Sequence, residues 1–110
     1  MDNIRIGKIL ENKYYIILNG EAQAFAYILS ENTNYYVSFD FQKNCNRPQF
    51  EKWYMSFRDY ILNEYKDIDG FTILKNDLKP GMNLYLNELG LQVVLENYYQ
   101  PNTLKKHMHI

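Results

Sequence analysis

Cysteine is nearly absent from this 110-residue chain: Cys45 stands alone, so no internal disulfide can form, which fits a reducing compartment. Histidine is almost as scarce. Only His107 and His109 occur, both in the last four positions, and no Cys/His set with metal-site spacing accompanies them, so neither a metal site nor a cofactor is expected. No apolar run approaches the roughly 18 residues that cross a bilayer, and the N-terminus, MDNIRIGKIL, carries no basic segment followed by an apolar stretch and a small-residue cleavage site. Membrane insertion and secretion are therefore not expected, and a cytoplasmic location follows. Charge of one sign is missing too: twelve basic and thirteen acidic residues leave a net charge of −1, against the basic surplus of a polyanion binder. Gly-rich phosphate loops are absent.

What the chain has instead is aromatic rings: eleven Tyr, six Phe and one Trp. The stretch RPQFEKWYMSFRDYILNEYK, residues 47–66, is the one long run with helical periodicity. Steps of 100° place Phe50, Trp53, Tyr54, Phe57, Tyr60, Ile61 and Tyr65 on one arc that should bury. Asn46 or Arg47 precedes Pro48, whose missing N–H costs nothing in a first turn, and Lys66 with Asp69-Gly70 marks a stop.

Everything else reads as short strands. Residues 4–10 and 13–18 form a hairpin around Glu11-Asn12. Asn19-Gly20, which tolerates positive φ at both positions, turns the chain into a third strand over 23–29. There Ala22, Ala24, Ala26 and Ile28 share a small-residue face that leaves room for the helix, while Phe25, Tyr27 and Leu29 share the other. A fourth strand, 35–42, sends Tyr35, Val37, Phe39 and Phe41 one way and Tyr36, Ser38, Asp40 and Gln42 the other. After the helix, strands are expected over 71–75, 82–87 and 91–99. The segment Leu78-Lys79-Pro80-Gly81-Met82 resembles the turn that opens a strand in small SH3-like barrels. The expected fold is α+β: an antiparallel sheet or small SH3-like, partly closed barrel of about six to seven strands, with one amphipathic helix on it. Residues 1–103 are expected to form a single domain, with 104–110 a loose tail.

Chemistry is hard to place. Asp67-Ile68-Asp69-Gly70 lacks the later acids and closing Glu of a calcium loop and reads as a helix-ending turn. Cys45 sits between Lys43 and Arg47, whose charges would favour its thiolate, yet no resolving Cys or neighbouring His goes with it. Glu64 falls inside the apolar arc, so Tyr60 and Glu64 are the candidates for a ligand pocket, unless the last turn overruns the sheet and leaves Glu64 wet. On the opposite helix face Met55 and Leu62 stand among Glu51, Arg58 and Asp59, an apolar anchor with a charged rim. Each Tyr-Tyr pair, 14–15, 35–36 and 98–99, should send one ring inward and one outward.

These features point to a non-enzymatic protein-binding module: a small bacterial or phage inhibitor or immunity protein that occludes a protein partner such as a toxin or a defence enzyme. The expected contacts are Tyr36, Asp40, Met55, Leu62 and Tyr85, and a homodimer is left open. The alternatives are a single-stranded nucleic-acid binder on the tyrosine face, or a small-ligand or enzyme pocket near Tyr60 and Glu64.

Overall fold

A computed structural model describes residues 2–31, 34–67, 70–74 and 78–90, and the backbone pairing of 93–94. Its first half is a meander: β1 (Ile4–Leu10), β2 (Lys13–Leu18), β3 (Glu21–Glu31) and β4 (Asn34–Phe41), each antiparallel to the next. The turn residues explain the hairpins. Asn12 (φ 66°) turns β1 into β2, and Asn19 and Gly20 (φ 51° and 80°) turn β2 into β3; these are the residue types that enter the left-handed region cheaply. Asn19 also ties the chain start down, its N–H donating to Asn3 O at 2.7 Å and its Oδ1 accepting from Asn3 N–H at 2.8 Å.

Burial along β2 alternates as the pleat demands: Tyr14, Ile16 and Leu18 are buried while Lys13, Tyr15 and Ile17 are half-covered. A bulge between Ile16 and Ile17 breaks the expected alternation on β3. As a result Ala22 is exposed and Gln23 fully buried, while Ala24, Ala26 and Ile28 keep the small-residue face inward.

Helix α1 (Arg47–Glu64) starts where the sequence marks it. Asn46 is the N-cap, its side chain accepting from Gln49 N–H at 3.2 Å, and Pro48 occupies the first turn. It ends two residues before the expected Lys66. Tyr65 leaves the helical conformation (φ −109°, ψ 78°), and its hydroxyl accepts from Tyr14 Oη at 3.1 Å and donates to Asn12 Oδ1 at 2.9 Å. The helix end is thus tied to the first hairpin; of the expected stop at Asp69-Gly70, Asp69 lies outside the described residues. Phe50, Trp53, Tyr54, Phe57 and Ile61 are fully buried on the sheet, with Tyr60 and Tyr65 half-covered at the arc's end. Phe39 is the hub, its ring 5.2–5.8 Å from those of Phe50, Trp53 and Phe57 in edge-on contacts.

The second half departs from the expected all-antiparallel pattern. Strand β5 (Thr72–Leu74) pairs parallel to β4, Val37 opposite Ile73, with α1 as the crossover that parallel strands require. The segment expected as a strand over 82–87 is a second helix, α2 (Pro80–Glu88). Pro80 fits a first helical turn, and Met82, Tyr85 and Leu86, all buried, stand at i, i+3 and i+4. The alternation of Met82, Leu84 and Leu86 was a coincidental match to period two, and Leu84 is in fact 58% exposed. Of the strand expected over 91–99, only Val93–Val94 (β6) pairs among the described residues, parallel to β5. The fold is thus α+β: an open, mostly antiparallel sheet of five strands in sequence order, extended by the two-residue β6, with two helices. It is neither a closed barrel nor a sheet of six to seven full strands. Both helices pack into the same apolar core with the Ala24, Ala26 and Phe39 side of the sheet. The expected tail, 104–110, lies outside the described residues. No helix among them is long and apolar enough to cross a membrane.

Candidate functional site

Because both helices share one side, the other face of the sheet is left to whatever the strands themselves put there. The register sets out its rows. Gly7, Tyr15, Phe25 and Asp40 are cross-strand neighbours from β1 to β4; Lys13, Tyr27 and Ser38 form the next row; Leu29, Tyr36 and Thr72 the third. Tyr15, Phe25, Tyr27 and Tyr36 are half-covered, and Ile17 stands beside them. This face is not polar, as an uncovered antiparallel sheet face ordinarily is.

Local chemistry fixes the rings. The hydroxyl end of the Tyr15 ring lies over Gly7, where a Cβ would come within 2.4–2.6 Å of it, so the aromatic platform reaches the edge strand. Lys13 Nζ stands 4.8 Å from the Phe25 ring centroid and 5.4 Å from that of Tyr27, a cation over two faces. Leu29 and Leu74 are buried on this side against Tyr27 and Tyr36, which anchors one end of the platform. At the other end Ile9 and Leu10, at the close of β1, are 44% and 59% exposed.

The residues singled out from sequence are scattered by the fold. Tyr36 and Asp40 do lie on the outer face, Tyr36 half-covered and Asp40 exposed. Met55, 40% exposed, and Leu62, half-covered, sit on the solvent side of α1, across the molecule from that face. Tyr85 is not a sheet tyrosine: it belongs to α2 and is 9% exposed, its ring edge-on to Phe50 and Tyr54 at 6.1 and 6.3 Å. The sequence reading missed Tyr15, Phe25 and Tyr27, although the alternation that put Phe25 and Tyr27 opposite the small-residue face was visible.

Tyr60 and Glu64 form no enclosed site. Glu64 is exposed, and Tyr60 packs edge-on to Tyr14 at 5.8 Å, its hydroxyl pKa raised by burial first and by the Glu64 charge second. A cavity of about 230 Å³ does open elsewhere, lined by Asp40, Phe41, Lys43, Asn44, Cys45 and Lys79. Cys45 is 2% exposed, and burial raises its pKa despite Trp53, Lys43 and Lys79 nearby, so the thiol is held neutral rather than activated as its sequence neighbours suggested. Among the described residues no group of three or more His, Cys, Asp and Glu is placed to hold a metal. No family model, no curated protein and no solved structure matches the chain.

Proposed function

We propose that the chain is a non-enzymatic, cytoplasmic protein-binding module that neutralises a protein partner by covering it, in the manner of a small bacterial or phage inhibitor or immunity protein. One observation carries this reading: the outer sheet face presents half-covered Tyr15, Phe25, Tyr27 and Ile17 together, with Ile9 and Leu10 exposed at its edge. Rigid aromatic rings on a sheet give large contact area at low entropic cost, and interfaces are enriched in them. Asp40 and Lys13 supply polar groups at the rim. Met55 and Leu62, on the far side of the molecule, fall outside this surface.

The test is affinity capture from the cell that encodes the chain, comparing the wild type with a Phe25→Ser/Tyr27→Ser variant whose fold is checked by circular dichroism. The reading expects a stable protein partner that the variant loses. A partner held equally by both would refute it.

A second reading is single-stranded nucleic-acid binding, favoured by Lys13 lying over Phe25 and Tyr27, where bases could stack. Retention on an oligonucleotide column that falls steeply with salt would replace the first reading with this one.

A further inference from the structure

Strand β1 ends the sheet order, and among the described residues nothing pairs with its outer edge. Its backbone polarity can be counted. Asn19 N–H donates to Asn3 O, so Asn3 faces Asn19 in a hydrogen-bonded pair. Such pairs recur every second residue of an antiparallel ladder, which assigns Arg5 and Gly7 to bonds with Ile17 and Tyr15. Ile4, Ile6 and Lys8 therefore turn their N–H and C=O groups to the open edge.

The side chains along this edge are of one kind. The strand reads IRIGKIL, with Arg5 and Lys8 exposed, no acidic residue, and a bulge only at its end between Lys8 and Leu10. Asp2, hydrogen-bonded to Asn19, and Glu11 in the turn lie just beyond the strand's two ends. In the fullest antiparallel pairing with a second copy, Ile6 opposite Ile6, Arg5 would face Gly7 and Lys8 would face Ile4, so self-pairing offers neither cation a carboxylate. An incoming strand with carboxylates supplies both. On the outer face it would also lie against Gly7, where the Tyr15 ring extends to the edge.

Building on the proposed protein-binding role, we infer that β1 is a strand-addition site: the partner contributes an extended segment that pairs with Ile4, Ile6 and Lys8. That segment carries one carboxylate on the outer face against Arg5 and another, three positions along on the opposite face, against Lys8. Main-chain bonds then give the docking its affinity and the charges its register and choice of partner.

The test uses the intact chain and capped Thr/Val peptides of the length of β1, 7 residues, with two Glu at the spacing of Arg5 and Lys8. The acidic peptide is expected to shift the backbone amide signals of Ile4, Ile6 and Lys8 and to slow their hydrogen exchange. N-methylation at every second peptide amide is expected to abolish this. An Arg5→Glu/Lys8→Glu variant is expected to lose the acidic peptide by roughly tenfold and to gain its Lys counterpart. The inference is overturned if the N-methylated peptide binds as well, if the shifts fall away from β1, or if no binding occurs at about 1 mM peptide. Equal shifts from a short oligothymidylate would overturn it too, by showing an anion site instead of a strand site. A native partner lost by the outer-face variant but kept by the Arg5/Lys8 variant would sink strand addition alone. Peptide binding at β1 with no native protein partner would sink the broader reading alone.

Discussion

The two faces of this sheet are built from the same residue types to opposite ends. Against the inner face, Phe50, Trp53, Tyr54 and Phe57 of α1 close over Phe39 of the sheet, all 0–3% exposed, while on the outer face Tyr15, Phe25 and Tyr27 are only half-covered. Aromatic content therefore does not separate core from surface here. What separates them is the partner each face receives: α1 and α2 cover one, and the strands leave the other with rings spread across a regular register. The buried set holds the fold, and the half-covered set is available for contact.

That contrast breaks if substitutions on the two faces behave alike. Phe57→Ala, in the fully buried cluster, is expected to cost about 3–5 kcal/mol and to lower the midpoint of thermal unfolding sharply. Tyr27→Ala on the outer face is expected to cost no more than about 1 kcal/mol by the same melt while removing partner binding. Equal destabilisation by the two would place both rings in one core and end the distinction.

Removing the N-cap comes next in size. Asn46→Ala leaves Gln49 N–H without its side-chain acceptor at the start of α1, a loss of about 1 kcal/mol in denaturant titration with the slope unchanged. A cost near zero would show that the helix is held by its aromatic face alone.

Within the inner face, Tyr54 sharpens the picture further. Its hydroxyl is buried without a hydrogen-bond partner among the described residues, so Tyr54→Phe is expected to be neutral or stabilising by up to about 1 kcal/mol. Burial also raises its pKa well above 10, and Tyr65 is raised likewise by burial and by the hydroxyl of Tyr14. A phenol whose folded pKa is raised leaves stability intact below the unfolded value, near 10, and withdraws it as pH climbs, because only the unfolded chain can then ionise. Alkaline unfolding should accordingly begin above about pH 10 and be blunted in Tyr54→Phe, read by phenolate absorbance alongside circular dichroism. Ionisation of every tyrosine before any loss of fold would contradict it.

The smallest stability change is expected at Gly7. An added methyl in Gly7→Ala displaces the far end of the Tyr15 side chain, which can swing away, so stability should fall by less than about 1 kcal/mol. The outer platform would lose its edge, and weaker partner binding with only a small drop in the melting midpoint is expected.

Legibility from sequence followed the range of the forces involved. The first four strands, their Asn and Gly turns and the start of α1 are local events, each signalled by residues within a few positions of one another. The strand expected over 82–87 proves helical: a short apolar run fits period two through Met82, Leu84 and Leu86 and period 3.6 through Met82, Tyr85 and Leu86 equally well. Contact of Tyr85 with Phe50 and Tyr54, more than thirty positions away, selects the helix. The candidate site was seen in part for the same reason: Tyr36 and Asp40 share a face by alternation, whereas the separation of Met55 and Leu62 from them depends on which side of the sheet α1 takes.

By itself the sequence determined the repertoire: an aromatic helix long enough to shield one sheet face, turns that enter positive φ, near-neutral charge, and rings placed on both sides of β2 and β4. Only the tertiary structure decided which rings are spent on the core. Alternation labels two faces without ranking them, and both carry apolar side chains here. The ranking came from the parallel β4–α1–β5 crossover and from α2 joining α1 on one side, contacts between residues far apart in the chain that no local pattern encodes.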